Sequence, residues 1–112
     1  MSRDESLYFE DILKAAKKIQ LYTAGIDYST FIQDSMRIDA VVRNIEIIGE
    51  AAARLSPENR GLFSAVPWKE IIGMRNILIH AYFGIDYDIV WDVISTKIDN
   101  LVDEISRYYK FT

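Results

Sequence analysis

Apolar residues recur along this chain at three- and four-residue spacing, the pattern of amphipathic helices, and no segment alternates as a strand would. Tyr8, Ile12, Ala15, Ala16, Ile19 and Tyr22 predict a first helix ending near Gly25. A turn at Gly25-Ile26-Asp27-Tyr28 leads through a short helical turn around Thr30–Gln33 to a long second helix from about Asp34 to Leu55. Ser56-Pro57 stops that helix, and Pro57 suits the first turn of a short third one through Asn59 and Leu62. Pro67 opens a fourth, from about Trp68 to Tyr82, closed by Gly84. Asp86 is the expected N-cap of a single last helix whose buried stripe is Val90, Ile94, Leu101, Ile105 and Tyr108. With no repeat, linker or low-complexity tract, the pattern predicts one all-α domain over residues 1–112, an antiparallel bundle of four to five helices with short loops.

The second helix is apolar on two sides. Ile38, Val41, Val42, Ile45, Ile48, Gly49 and Ala52 form one face, and Ala40, Ile47 and Ala51 a second. Either this helix is the central one of the bundle or its second side is a subunit interface. Between the faces runs a polar stripe of Asp39, Arg43, Glu46, Glu50 and Arg54, whose spacing predicts the ion pairs Arg43–Glu46 and Glu50–Arg54.

The fourth helix carries an anomaly. On a helical wheel Trp68, Ile71, Ile72, Leu78, Ile79 and Tyr82 all lie within about 60° of Arg75, which therefore occupies the middle of an apolar stripe. A guanidinium cannot shed its charge there, so it needs a carboxylate such as Glu46 or Glu50, or a wet cleft. His80 lies about 140° away on the same helix, with Asn76 four residues before it on its own side. Proximity to a helix C-terminus favours the protonated imidazole.

Composition narrows the chemistry. The 112 residues include no Cys and one His, which removes disulfides, thiol nucleophiles, Cys–zinc sites and any multi-His metal site within one subunit. Asp39, Glu46 and Glu50 could line a Mg²⁺ site, although ion pairing explains them more simply. No leader peptide or membrane span is visible, so a cytoplasmic protein is expected. The net charge of −4 disfavours a wide basic nucleic-acid surface, but residues 86–106 hold six Asp/Glu against one Lys. The acidity thus belongs to the last helix and leaves a local anion site near the fourth possible.

The string Arg75-Asn76-Ile77-Leu78-Ile79-His80-Ala81-Tyr82 reads R-N-x3-H and R-x4-H-x-Y. It resembles the signature of the HEPN superfamily, specifically its HepT-like toxins, which are encoded beside a minimal nucleotidyltransferase antitoxin. Val42–Ala51, Pro67–Met74 and Tyr82–Asp86 with Val90-Trp91-Asp92 resemble the flanking sequence of that family, so the likeness spans nearly the whole chain. The resemblance implies an HEPN-like bundle that dimerises, alone or in a higher assembly with the antitoxin, with two R-x4-H motifs lining a shared cleft. It implies a type VII toxin acting as a metal-independent endoribonuclease on RNA, without a cofactor, and silenced by attachment of AMP to Tyr82. The same family admits an alternative, a non-catalytic nucleotide- or substrate-binding subunit of the transferase.

RNA cleavage through the 2′-hydroxyl needs a base, an acid and positive charge on the developing phosphorane. One chain offers one imidazole, so two histidines in these roles require two subunits. On this reading His80 is the base or acid, Arg75 the phosphate clamp, and Asn76 orients His80 or the substrate. A plain helical interaction module, with Arg75 a buried ion-pair member and Tyr82 a core or interface tyrosine, is the competing expectation.

Overall fold

A computed structural model describes residues 4–79, 84 and 86–108, and of Asn76–Ile79 and Tyr108 the main chain alone. His80 and Tyr82 lie outside the described residues, and so does the expected course of the fourth helix beyond Ile79. The described residues form helices joined by short turns, with α1 Glu5–Thr23, α2 Tyr28–Ile32, α3 Ser35–Ala53, α4 Pro57–Gly61, α5 Trp68–Ile79, α6 Tyr87–Thr96 and α7 Ile98–Tyr108. No strand occurs among them. None of these helices is long and apolar enough to cross a membrane.

Side-chain caps start most of the elements. Asp4 accepts from the Ser6 amide, Asp27 from Thr30, Asp34 from Arg37, Ser56 from Asn59, and Asp86 from Asp88 and Ile89. Pro67 opens α5 as expected, its carbonyl accepting from the Ile71 amide at 3.0 Å. Gly25 follows α1 with φ +72° and Gly84 precedes α6 with φ +116°, a region that costs residues with a Cβ.

The core is built around α3, which packs against α1 on one side and α5 on the other, with α2 adding a smaller contact. Its Ile38, Val41, Ile45, Ile48 and Ala52 are buried, as are Ile12, Ala15, Ala16 and Ile19 of α1. Phe9, which the helical spacing passed over in favour of the half-buried Tyr8, is fully buried, its ring 4.9 Å from that of Phe63. The Trp68 indole closes this end by donating to the carbonyls of Arg60 and Phe63 at 2.9 and 3.1 Å. On the second side of α3, Ala51 is buried while Ala40 and Ile47 are half-exposed. The helix is therefore central in the bundle and still presents an open face. Asn44, which the pattern left unassigned, is 6% exposed, and its amide donates to the Ala40 carbonyl at 2.8 Å.

The last helix departs from expectation. In place of one rod there are two, α6 and α7, broken at Lys97, which keeps a right-handed conformation but opens to a φ of −117°. Thr96 donates its hydroxyl to the Asp92 carbonyl at 2.7 Å, a bond that competes with helical propagation and bends helices. Lys97 uses the break to reach Glu70 of α5 at 3.3 Å and Asp92 at 3.8 Å. The buried stripe continues across it through Val90, Val93, Ile98, Leu101 and Ile105, so the kink preserves burial while shifting its phase by one residue.

Three capping carboxylates give the fold an acid limit. Donation from the Ser56 amide, at 2.5 Å, holds Glu5 below its ordinary 4.5. Amide donors do the same for Asp27 (Thr30) and Asp34 (Arg37), both from an ordinary 3.8. A carboxyl whose folded pKa is depressed stabilises fully above its unfolded value and loses that contribution as pH falls through the folded one. The melting temperature should therefore drop progressively below about pH 4.5, starting with Glu5. In thermal melts followed by circular dichroism, Asp34→Asn should lower it by a few degrees at pH 7 and flatten the acid slope.

Candidate active site

Arg75 sits in α5 where that helix packs tightly against α3. The close approach depends on Gly49: a Cβ at that position would lie 3.0 Å from the Arg75 Cβ and 3.5 Å from the Arg75 nitrogen. Glycine in a helix interior costs roughly 1 kcal/mol relative to alanine, so its use in the middle of Ile48-Gly49-Glu50 signals a packing requirement. Hydrophobic patterning alone grouped Gly49 with the apolar face; a mid-helix glycine was the signal that it does more.

Contact with the α3 backbone places the stem of Arg75 between the two helices, while its head reaches their rim. The neighbours Ile71 and Met74 are buried, and the Arg75 side chain keeps 31% of its exposure. Its Nη1 donates to Glu50 Oε1 at 3.4 Å, beyond the 2.7–2.9 Å typical of strong charge-assisted bonds, and the Glu50 side chain is 53% exposed. Of the two carboxylates expected as partners, Glu50 is the one engaged. The predicted pairs within α3 do not form: among the described residues no ion pair joins Arg43 to Glu46 or Glu50 to Arg54. Glu50 turns across to α5 instead, leaving two more arginines on the same outer surface.

That surface borders an open groove of about 300 Å³ lined by Tyr8 and Asp11 of α1 and by Arg43, Glu46, Ile47, Glu50, Ala51 and Arg54. Glu50 belongs both to the groove and to the pair with Arg75, and that pair is what links the arginine to the groove, whose lining it does not join. Tyr8 and Asp11 were not anticipated here; nothing in the spacing of α1 distinguishes them from other boundary residues. No group of three or more His, Cys, Asp or Glu able to hold a metal ion occurs among the described residues, and Asp39, Glu46 and Glu50 form no such cluster.

A permanently charged guanidinium at a polar rim, held by a long and solvated ion pair, can exchange its carboxylate for a phosphate at little cost. Exposed pairs of this kind contribute about 0–1 kcal/mol. Asn76 follows Arg75 in α5, with only its main chain described.

Comparison with known proteins bears on this arrangement directly. Residues 12–108 match the family described as Ribonuclease HepT-like. The chain belongs to the HepT-like ribonuclease family. A Methanocaldococcus jannaschii protein named as a candidate RNase is 43% identical over 103 residues, covering 92% of this chain and 94% of that one. A second candidate RNase, from Caldanaerobacter subterraneus subsp. tengcongensis, is 43% identical over 100 residues, 89% of each chain. A protein of Thermococcus cleftensis named a probable ribonuclease HepT is 36% identical over 110 residues, 98% of this chain and 100% of that one. No solved structure matches. The family match covers both Gly49 and Arg75, so the packing that presents the arginine lies within the HepT-like region of the chain.

Two substitutions separate packing from pairing in this HepT-like chain. Gly49→Ala should destabilise by up to about 2 kcal/mol, the overpacking against Arg75 outweighing the roughly 1 kcal/mol that alanine gains in a helix, whereas Glu50→Gln should change stability by less than about 1 kcal/mol. Urea denaturation of the two variants checks both values.

Proposed function

We propose that the protein is the toxin of a type VII HEPN/MNT pair, a metal-independent endoribonuclease whose site is composed from two subunits. The observation that carries this reading is Arg75: in a chain of the HepT-like ribonuclease family, the arginine that opens the R-x4-H-x-Y motif carries its charge to the rim between α3 and α5, held there by a long pair with the exposed Glu50.

The reaction needs only groups the two chains possess. One His80 takes the proton of the substrate 2′-hydroxyl as its oxygen attacks the adjacent phosphorus. The bond from phosphorus to the 5′-oxygen breaks, and the His80 of the second subunit gives that oxygen its proton. The products are a 2′,3′-cyclic phosphate and a 5′-hydroxyl end. Arg75 carries its charge at every physiological pH, and its planar fork matches two oxygens of the phosphorane. Asn76 orients the imidazole or the substrate. Tyr82 lies two residues beyond His80; on the partner nucleotidyltransferase its hydroxyl gives up its proton and attacks the α-phosphorus of ATP, pyrophosphate leaves, and the AMP it retains fills the site with a phosphodiester and a base and so shuts it.

The bound phosphate replaces Glu50 as the partner of Arg75. The 3.4 Å pair between two partly exposed groups offers little resistance to that exchange. Substrate recognition is thereby local, in keeping with a net charge of −4 whose excess acid lies between residues 86 and 106.

Expression of the chain without its partner should arrest growth. Arg75→Ala should lower RNA cleavage by about 10²–10³-fold, the scale of losing one transition-state donor, and His80→Ala by about 10²–10⁴-fold, with both proteins folded. If both variants cleave RNA and arrest growth like the parent, the reading is wrong. Tyr82→Phe should remain toxic and escape adenylylation by the partner, which mass spectrometry of the intact protein checks. An unmodified chain that neither cleaves RNA nor arrests growth but holds the transferase stably would instead be its binding subunit.

A further inference from the structure

We propose that the outward face of α3 is the seam of a two-fold dimer of this chain, in which Arg43 of each copy meets Glu50 of the other and Asp39 meets Arg54. The proposal deepens the two-subunit reading above by assigning the surface and the register, and only its consequence for Arg75 rests on the nuclease reading.

On α3, Met36, Ala40, Arg43, Ile47, Glu50 and Arg54 lie within about 80° of one another, with Asp39 at the edge of that arc. This is the side opposite the buried Ile38, Ile45 and Ala52. Met36 is 83% exposed, Asp39, Arg43, Glu50 and Arg54 are exposed, and Ile47 and Ala40 are half-exposed, so the face is open along its whole length. It is neither a plain apolar patch nor a uniformly charged one. Two small or branched apolar residues lie along it, and charges of both signs surround them.

The order of the charges selects the occupant. A two-fold axis perpendicular to α3, passing between Glu46 and Ile47, brings a second α3 against the first in antiparallel sense. Arg43 lies as far before that midpoint as Glu50 lies beyond it, and Asp39 as far before it as Arg54 beyond it. The symmetric pairing therefore yields four opposite-charge contacts, two of each kind, with Ile47 near the axis. Moving the axis by about one turn sets Arg43 against Arg43, or Glu50 against Glu50. The competing registers are thus penalised by like charges, as register-setting charges do in paired helices. A partner of another sequence would have no reason to match this palindromic order; a second copy matches it by construction.

The seam also bears on Arg75. Glu50 is both its ion-pair partner and the proposed acceptor for Arg43 of the second copy. When Arg43 of the second copy engages Glu50, the hold on Arg75 weakens and the guanidinium is released at the rim between α3 and α5, while the second α3 covers the groove wall of Arg43, Ile47, Glu50 and Arg54. Assembly of the dimer and exposure of the phosphate-binding charge become one event.

Analytical ultracentrifugation of the full chain at low salt tests the seam. The parent should be a dimer. Arg43→Glu and Glu50→Arg should each weaken self-association at least tenfold, while circular dichroism melts show both folded. Mixed in equal amounts, the two variants should form a heterodimer, because every Arg43–Glu50 contact then again joins opposite charges; native mass spectrometry identifies it. The double variant R43E/E50R should self-associate like the parent. Asp39→Arg mixed with Arg54→Asp repeats the exchange at a distance from Arg75. A monomeric parent, single variants that dimerise as tightly as the parent, or variants that fail to pair in both mixtures would each overturn the seam. RNA cleavage is a separate readout: a chain that passes the exchange test and cuts no RNA retains the seam and loses the nuclease reading, and the reverse holds for a nuclease whose dimer ignores these charges.

Discussion

The contact between α3 and α5 at Gly49 is the constraint on which the rest of the structure turns. A Cβ at Gly49 would press to 3.0 Å from the Cβ of Arg75, so the two helix backbones approach as closely as they do only because that position has no side chain. The approach lets α3 bury Ile45 and Ile48 while α5 buries Ile71 and Met74 beside them. It also decides what an arginine on an apolar stripe must do. Its stem fills the helix boundary and its charge is carried outward to the rim, where water, Glu50 or a phosphate can meet it.

From that placement follows the division of labour within the bundle. The cap and tie residues lie away from Arg75. Glu5 accepts from the Ser56 amide, Gln20 donates to Asp99 at 2.7 Å, and Tyr28 donates to Asp88 at 2.5 Å, joining α1 and α2 to distant segments. Asp88, Asp92, Asp99 and Asp103 keep the acid on α6 and α7. The outer surface of α3 is different: Arg43 and Arg54 are exposed there, and Glu50 holds Arg75 across a long contact. A small protein with an acidic total can thus keep one site where positive charge is available to an anion.

Much of this was legible in the residues, and the parts that were not have identifiable physical causes. Helices α1, α3 and α5 follow from spacing because each has a long apolar face, with a second one on α3, ended by Gly25 or Ser56-Pro57 or opened by Pro67. The break at Lys97 was hidden because the apolar stripe continues through it; it depends on a Thr96 hydroxyl and on salt bridges to Glu70 and Asp92, which periodicity does not register. Arg75 stood out because a charge interrupts an apolar face, and Glu50 was among its expected partners. The intrahelical pairs of α3 were misread: spacing shows that Arg43–Glu46 and Glu50–Arg54 can meet, whereas a neighbouring helix offers Glu50 a different cation. The roles of Tyr8 and Asp11 in the groove depend on how α1 docks against α3, which no local pattern encodes.

Membership of the HepT-like ribonuclease family supports an RNase, and the proposed route runs through the substrate's own 2′-hydroxyl. The most direct test is to incubate the purified protein, in the presence of EDTA, with an RNA oligonucleotide it cuts and with the same oligonucleotide carrying one 2′-deoxy residue at the cut. The account predicts that the all-ribose strand is cleaved to 2′,3′-cyclic phosphate and 5′-hydroxyl ends, and that the deoxy substitution abolishes cleavage at that position. Cleavage at the deoxy position, or 5′-phosphate ends, would contradict it.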